Sequence, residues 1–328
     1  MTMEPIFVQK LRALLSRLPL NHPVREKVES DLGKRVAGYK GEQSLHYYLS
    51  FLPEKEFHIL YDLRLSFNNH FFQIDVLLLS KRFFLILEVK NMAGTLLFDD
   101  RFNQVIRIKD GEEEPFQDPL QQVKHQQFQF LNWLKRKHIE PAPVEALVLI
   151  VNRNAILKTM DEKSKYVEKV LHSTMLLPKI DNFKKLYKDF HLTDKDIKKI
   201  KKLLLKNNTP YNPDVLQLYN LSKTDLLSGV RCPNCSYLPM DRVYGKWICR
   251  DCDTSAKGAH LNALLDYSLL CRSTISNQEV RSFLHISSPS VAQKLLQSLN
   301  TPQTGTTINR TYKLPLQHLY SLIKKSPC

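Results

Sequence analysis

Glycine is scarce in this chain, 9 residues out of 328 against 17 prolines. Neither a GxxxxGK[ST] run nor a GxGxxG run occurs, which excludes the glycine-rich loops that wrap nucleotide phosphates. Cysteine is sparse too, with 6 in the whole chain, so a disulfide framework of the secreted type is not expected. Long apolar runs are missing as well. The most hydrophobic stretch, 71–89, is broken by Asp75, Lys81 and Arg82, short of the roughly 18 apolar residues of a membrane span. Near the N-terminus Glu4, Lys10, Arg12 and Arg17 interrupt the apolar residues before a secretory h-region can form. These absences predict a soluble protein of the reducing cytoplasm with no membrane segment.

Acidic residues are also in deficit, 33 against 48 lysines and arginines, for a net charge of +15. That balance points to a polyanionic partner such as nucleic acid; an anionic membrane surface is the weaker option. Residues 158–206 hold 14 lysines against 7 acids, and residues 207–328 hold 13 basic residues against 7 acids. The positive excess therefore lies in the C-terminal half. At 43% hydrophobic and 25% charged residues the composition is that of a globular protein, and the length suggests two or three folded units.

Residues 1–32 read as an accessory helical element, with Ile6, Leu11, Leu14, Leu15 and Leu18 at helical spacing before Pro19 and Pro23. A helix is expected over 35–51, followed by three strands at 57–65, 71–79 and 83–89 and a fourth near 101–109. Pro119 opens a further helix to about residue 137, and 144–151 reads as a buried strand. Together these make a mixed α/β unit over 33–155. A basic helical connector is expected over 156–206, and a linker over 207–229. Lys195, Lys198, Lys199, Lys201, Lys202 and Lys206 fit the solvated face of a helix capped by Thr193, with phosphate contact as the rarer use.

The acids in the apolar strands carry the chemistry. Asp75 lies inside one strand, and Glu88 and Lys90 occupy alternate positions of the next, so they project from the same face. Charges on strands this apolar are unfavourable to bury unless paired or bound to a cation. An Asp, a Glu and a backbone carbonyl form the hard oxygen site that suits Mg2+ or Mn2+. A neighbouring lysine then supports metal-assisted phosphodiester hydrolysis. A lone E-x-K is common by chance and by itself describes a salt bridge on an edge strand better than a reaction centre.

Four segments in order separate those readings: Gly38-Tyr39-Lys40-Gly41-Glu42, Gln73-Ile74-Asp75, Glu88-Val89-Lys90-Asn91 with Gly94, and Asp118-Pro119-Leu120-Gln121-Gln122. Residues 38–122 thereby resemble the nuclease-related domain, NERD, of the PD-(D/E)xK nuclease superfamily. Asp118 stands where Asn is commoner, and no proline precedes Asp75. The resemblance implies an α/β fold with a restriction-endonuclease-like mixed sheet flanked by helices. It also implies that Asp75, Glu88 and the Val89 carbonyl hold the metal while Lys90 positions water. Glu42 then binds a metal water or second ion, and Gln122 orients substrate or Lys90.

Cys232, Cys235, Cys249 and Cys252 form C-x2-C-x13-C-x2-C, the spacing of a structural zinc site. A four-cysteine ribbon is therefore expected over 230–256, with Cys271 and Cys328 outside it. Arg231, Arg242, Lys246 and Arg250, with Tyr244 and Trp247 among them, suit contact with phosphates and bases, and any single one of them fits a solvated surface as well. Over 257–328 three short helices and a β-ribbon resemble a winged helix-turn-helix. On that reading Ser290, Gln293, Lys294 and Gln297 face bases, and Arg310 and Lys313 touch phosphate; trihelical packing without nucleic acid gives the same pattern. The expectation is a divalent-metal-dependent nuclease, acting on nucleic acid and on DNA by preference, with a nucleic-acid-binding adaptor on a nuclease-like scaffold as the alternative.

Overall fold

The structure, a computed structural model, describes residues 4–161, 163–306 and 309–325. Cys328 lies outside them. The chain divides into a central unit, Lys34–Tyr211, and a split unit assembled from Met1–Gly33 and Asn212–Cys328. Helix α1 (Ile6–Arg17) belongs to the split unit, and α2 (Arg25–Leu49) runs through the division. This helix starts earlier than the expected residue 35. Between Arg25 and Gly41 only Val28 is a buried apolar residue, so the stretch has no stripe to read.

In the central unit, β1 (His58–Phe67), β2 (His70–Leu79) and β3 (Phe84–Lys90) form an antiparallel meander. Asn68 and Asn69 turn β1 into β2 with φ of 49° and 63°, the paired left-handed geometry that matches hairpin twist. Next come β4 (Gly94–Asp99), β5 (Gln104–Lys109) and β6 (Glu112–Gln117), then α3 (Pro119–Arg136) and β7 (Val144–Ile150). The α3 crossover returns β7 parallel to β3, with Glu88 opposite Val148 and Lys90 opposite Ile150. The unit continues with β8 (Ala155–Thr159), β9 (Val170–His172), α4 (Leu176–Leu186) and α5 (Asp194–Asn207).

The main sheet has the order β1-β2-β3-β7-β9, and a second sheet has the order β6-β5-β4-β8. Phe84 and Ile86 face a core shared with Val123, Phe130 and Trp133 of α3 and Ile197, Ile200 and Leu204 of α5. Leu85 and Leu87 face the opposite core, with Leu45 and Leu49 of α2 and Leu176, Ile180 and Phe183 of α4. Helices thus cover both faces of a mixed sheet. Residues 158–206 are not helical throughout, because β9 and its flanking turns precede α4. The short strands β6 and β9 carry too few apolar residues to show a period of two.

The split unit contains α6 (Val215–Leu218), a ribbon of β10 (Asp241–Val243), β11 (Lys246–Ile248) and β12 (Ser255–Ala256), and α7 (His260–Leu270). It continues through β13 (Thr274–Ser276), α8 (Asn277–Leu284), α9 (Pro289–Ser298), β14 (Gln303–Thr304), β15 (Thr311–Lys313) and α10 (Leu316–Lys325). Strand order in the last sheet is β13-β15-β14. Helix α10 was not anticipated from the sequence. Arg17, 1% exposed, ties α1 into this unit by pairing with Asp266 at 2.8 Å and donating to the Gly229 carbonyl at 2.7 Å. No helix among the described residues is long and apolar enough to cross a membrane.

Candidate active site and metal centre

The ladder between β2 and β3 ends at the pair Val76–Leu87. One step further, where Asp75 and Glu88 would face each other, the strands part. Asp75 occupies the opening, and its Oδ2 accepts from the Val89 N–H at 2.8 Å. A second irregularity coincides with it. Leu63, Leu65 and Ile74 share a core with Leu60 and Leu77, whereas Ile59, Tyr61, Val76 and Leu78 face the other side. The alternation of faces therefore slips by one residue in both strands, at Asp62 and Asp75. The Asp62 backbone takes φ 48° there, and its Oδ1 accepts from Gln73 Nε2 at 2.7 Å.

Glu88 and Lys90 continue the Phe84–Ile86 face and so meet α3. The Lys90 ammonium lies 2.7 Å from Glu88 Oε1 and donates to Gln122 Oε1 at 2.9 Å. Glu88, 2% exposed, accepts on Oε2 from Gln126 Nε2 at 2.7 Å. The helix is held in this register by Asp118, whose Oδ1 caps the Leu120 N–H at 2.8 Å and whose Oδ2 accepts from the Tyr166 hydroxyl at 2.9 Å. Pro119 at its first position suits the cap.

Glu42 arrives from α2. A Cβ on Gly41 would lie 2.9 Å from Asn91 Cβ and 3.3 Å from Val151 Cγ2, so the absence of a side chain there is what lets α2 approach the end of β3. The neighbouring Asn91 donates to the Ala37 carbonyl at 2.9 Å. Burial, then Asp62 and Glu88, pushes the Glu42 carboxyl up to about 7. Burial, then Glu88 and Glu42, likewise raises Asp75 well above the usual carboxylate range.

The structure therefore brings Asp75, Glu88, Val89, Lys90 and Gln122 together and sets Glu42 in electrostatic contact with them. Sequence reading missed Asp62 and Gln126. Asp62 carried one usable signal, an acid inside an apolar strand like Asp75. Among the described residues, the four cysteines are the group of metal-type donors whose ligand atoms all lie within 4.8 Å of one another; no trio of acids does so. The carboxylates nonetheless suit a hard cation chemically, since buried like charges raise their proton affinity and a divalent ion relieves that repulsion.

The thiol cluster is compact. Cys232 and Cys252 sulfurs lie 3.6 Å apart and those of Cys235 and Cys249 3.4 Å, near the ~3.8 Å edge of a zinc–thiolate tetrahedron. The two knuckles match: Ser236 N–H bonds the Cys232 carbonyl and Asp253 N–H the Cys249 carbonyl, each at 3.1 Å. Ser236 and Asp253 have φ of 64° and 55°. Hydrogen bonds from the Thr254 side chain and backbone, then from Asn234, bring the Cys252 thiol down to about 6. This donor set fits zinc.

Trp247 is fully buried and donates to His260 Nδ1 at 3.2 Å, which corrects its expected role in stacking on bases. Arg250 is paired with Asp241, and Arg242 lies over the Trp247 ring at 5.0 Å. Arg231 is committed to the Ser236 and Ser16 carbonyls. Tyr244 and Lys246 remain exposed. On α9, Ser290, Lys294 and Gln297 are exposed and Gln293 is half-buried; beyond it Arg310 is half-buried and Lys313 exposed. Thr193 caps α5 in a reciprocal box with Asp196, and the α5 lysines face outward except half-buried Lys201.

Residues 37–151 match the family described as the nuclease-related domain, NERD. That family fits the restriction-endonuclease-like arrangement of a mixed sheet with flanking helices. No curated protein and no solved structure matches the chain.

Proposed function

We propose that the protein is a divalent-metal-dependent nuclease whose reaction centre is the opening between β2 and β3. The observation that carries this reading is the joint placement of Asp75, Glu88 and Lys90 where the ladder ends, with Gln122 on Lys90. Asp75, Glu88 and the Val89 carbonyl would hold Mg2+ or Mn2+, which when bound acidifies water and neutralises charge on a phosphate. Gln122 keeps the Lys90 ammonium over the site, where it orients a water or a phosphate oxygen. Glu42 offers a carboxyl that exchanges a proton near neutrality. The helix–strand–helix–helix–strand–strand order from α7 to β15 supports a winged-helix reading. With it, Ser290, Gln293, Lys294 and Gln297 address bases while Arg310 and Lys313 address phosphate, and DNA is the preferred substrate. The zinc ribbon has a structural role.

Labelled single- and double-stranded DNA and RNA, incubated with the full chain with and without Mg2+ or Mn2+, test the proposal. Glu88→Ala and Lys90→Ala should each lower cleavage more than about 100-fold while leaving melting cooperative. Equal cleavage by wild type and both variants would defeat it. One observation favours the second reading, a nucleic-acid-binding adaptor without turnover: Lys90 occupies Glu88 Oε1, and among the described residues no three acids bring their oxygens together. Metal-independent DNA binding with no cleavage under any condition would select it.

A further inference from the structure

Gln126 sits where the packing of α3 calls for an apolar residue. Val123, Phe130 and Trp133 are its neighbours on the buried stripe, and Gln126 itself is 6% exposed. Its amide spans an asymmetric environment. Nε2 donates to Glu88 Oε2 at 2.7 Å, while Oε1 is buried without a hydrogen-bond partner. Turning the amide over would set its oxygen against a carboxylate oxygen, so the N–H must face Glu88 and the carbonyl stays unpaired. A buried carbonyl without a partner is destabilising, and leucine would fill this stripe without that penalty. The side chain is therefore explained by Glu88 rather than by the core.

The two oxygens of Glu88 are consequently distinguished. Oε2 is fastened to α3, and Oε1 is left to Lys90, which Gln122 also holds from one helical turn away. We infer that Gln126 is a positioning residue that fixes the Glu88 carboxylate so that Oε1 is the oxygen presented to a divalent cation. This inference rests on the nuclease reading above. It assigns Gln126 no contact with substrate.

The test is Mn2+ binding by calorimetry on the full, zinc-loaded chain, beside cleavage kinetics, for wild type, Gln126→Met, Gln126→Asn and Asp75→Asn. Methionine keeps the volume and removes the donor; asparagine keeps the amide and withdraws it by one methylene. Both Gln126 variants should bind Mn2+ about 10- to 100-fold more weakly. They should need correspondingly more Mn2+ for cleavage, with KM for DNA at saturating Mn2+ unchanged. Either variant suffices if the other fails to fold. Mn2+ uptake that depends on Asp75 but is equal in wild type and the Gln126 variants overturns the role of Gln126 alone. Wild type that takes up no Mn2+ sensitive to Asp75→Asn sinks that role and the nuclease reading together.

Discussion

His260 begins α7 with 6% exposure, and its ring accepts a hydrogen bond from the Trp247 indole. Burial, then the Arg242 guanidinium, brings it down to about 4 from an ordinary 6.5. Between those values the unfolded chain binds a proton that the folded one does not. The contribution is thus complete above about pH 6.5 and is lost as pH falls toward 4, by up to about 3 kcal/mol. Urea midpoints at pH 7 and pH 4.5 should fall more for wild type than for His260→Gln, which accepts from Trp247 without titrating; identical falls would contradict a neutral ring. Nothing in the sequence marks this histidine. Glu88 and Lys90 were legible because a strand has a fixed period of two, and Asp75 because an acid in an apolar strand is conspicuous. Asp62 offers the same signal within β1 and was passed over, whereas Gln126 became visible only with its burial on α3, which no local pattern encodes.

Among the elements, α3 matters most, since it delivers Gln122 and Gln126 and its register hangs on Asp118, 2% exposed. Asp118→Ala removes the cap and leaves the Tyr166 hydroxyl only its longer bond to the Asp99 carbonyl at 3.4 Å, and should destabilise the central unit by roughly 1–3 kcal/mol. Asp118→Asn, still able to accept, should lose less; chemical denaturation of the two variants checks the order. The start of α3 was readable from Asp-Pro followed by an apolar stripe. The strand β6, Glu112–Gln117, was not, because it stands at the edge of its sheet beside β5 and almost all of it is exposed. An edge strand of this kind carries charge in place of alternation. Treating 158–206 as wholly helical failed for a related reason: the lysines there sit on turns as well as on helices.

At the level of the whole molecule, the four thiols lie in the split unit, in a stretch whose own core besides the thiols is Val230, Met240, Trp247 and Ala256. Zinc bound there would contribute on the order of 10 kcal/mol. Chelation should therefore abolish or sharply lower one calorimetric transition and leave that of residues 34–211 in place; a single transition unmoved by chelator would refute a structural zinc. The paired CxxC spacing made this centre legible without any fold. The grouping of α1 with residues beyond 212 was not legible, because contacts so distant in sequence leave no periodic trace.

That grouping gives synthesis an order. Arg17 and Asp266 are 249 positions apart, so a chain leaving the ribosome completes residues 34–211 long before α1 meets α7. During that interval Leu11 and Leu14 have no permanent neighbours, and a nascent chain halted near residue 220 should expose them to chaperones although its middle portion is already native.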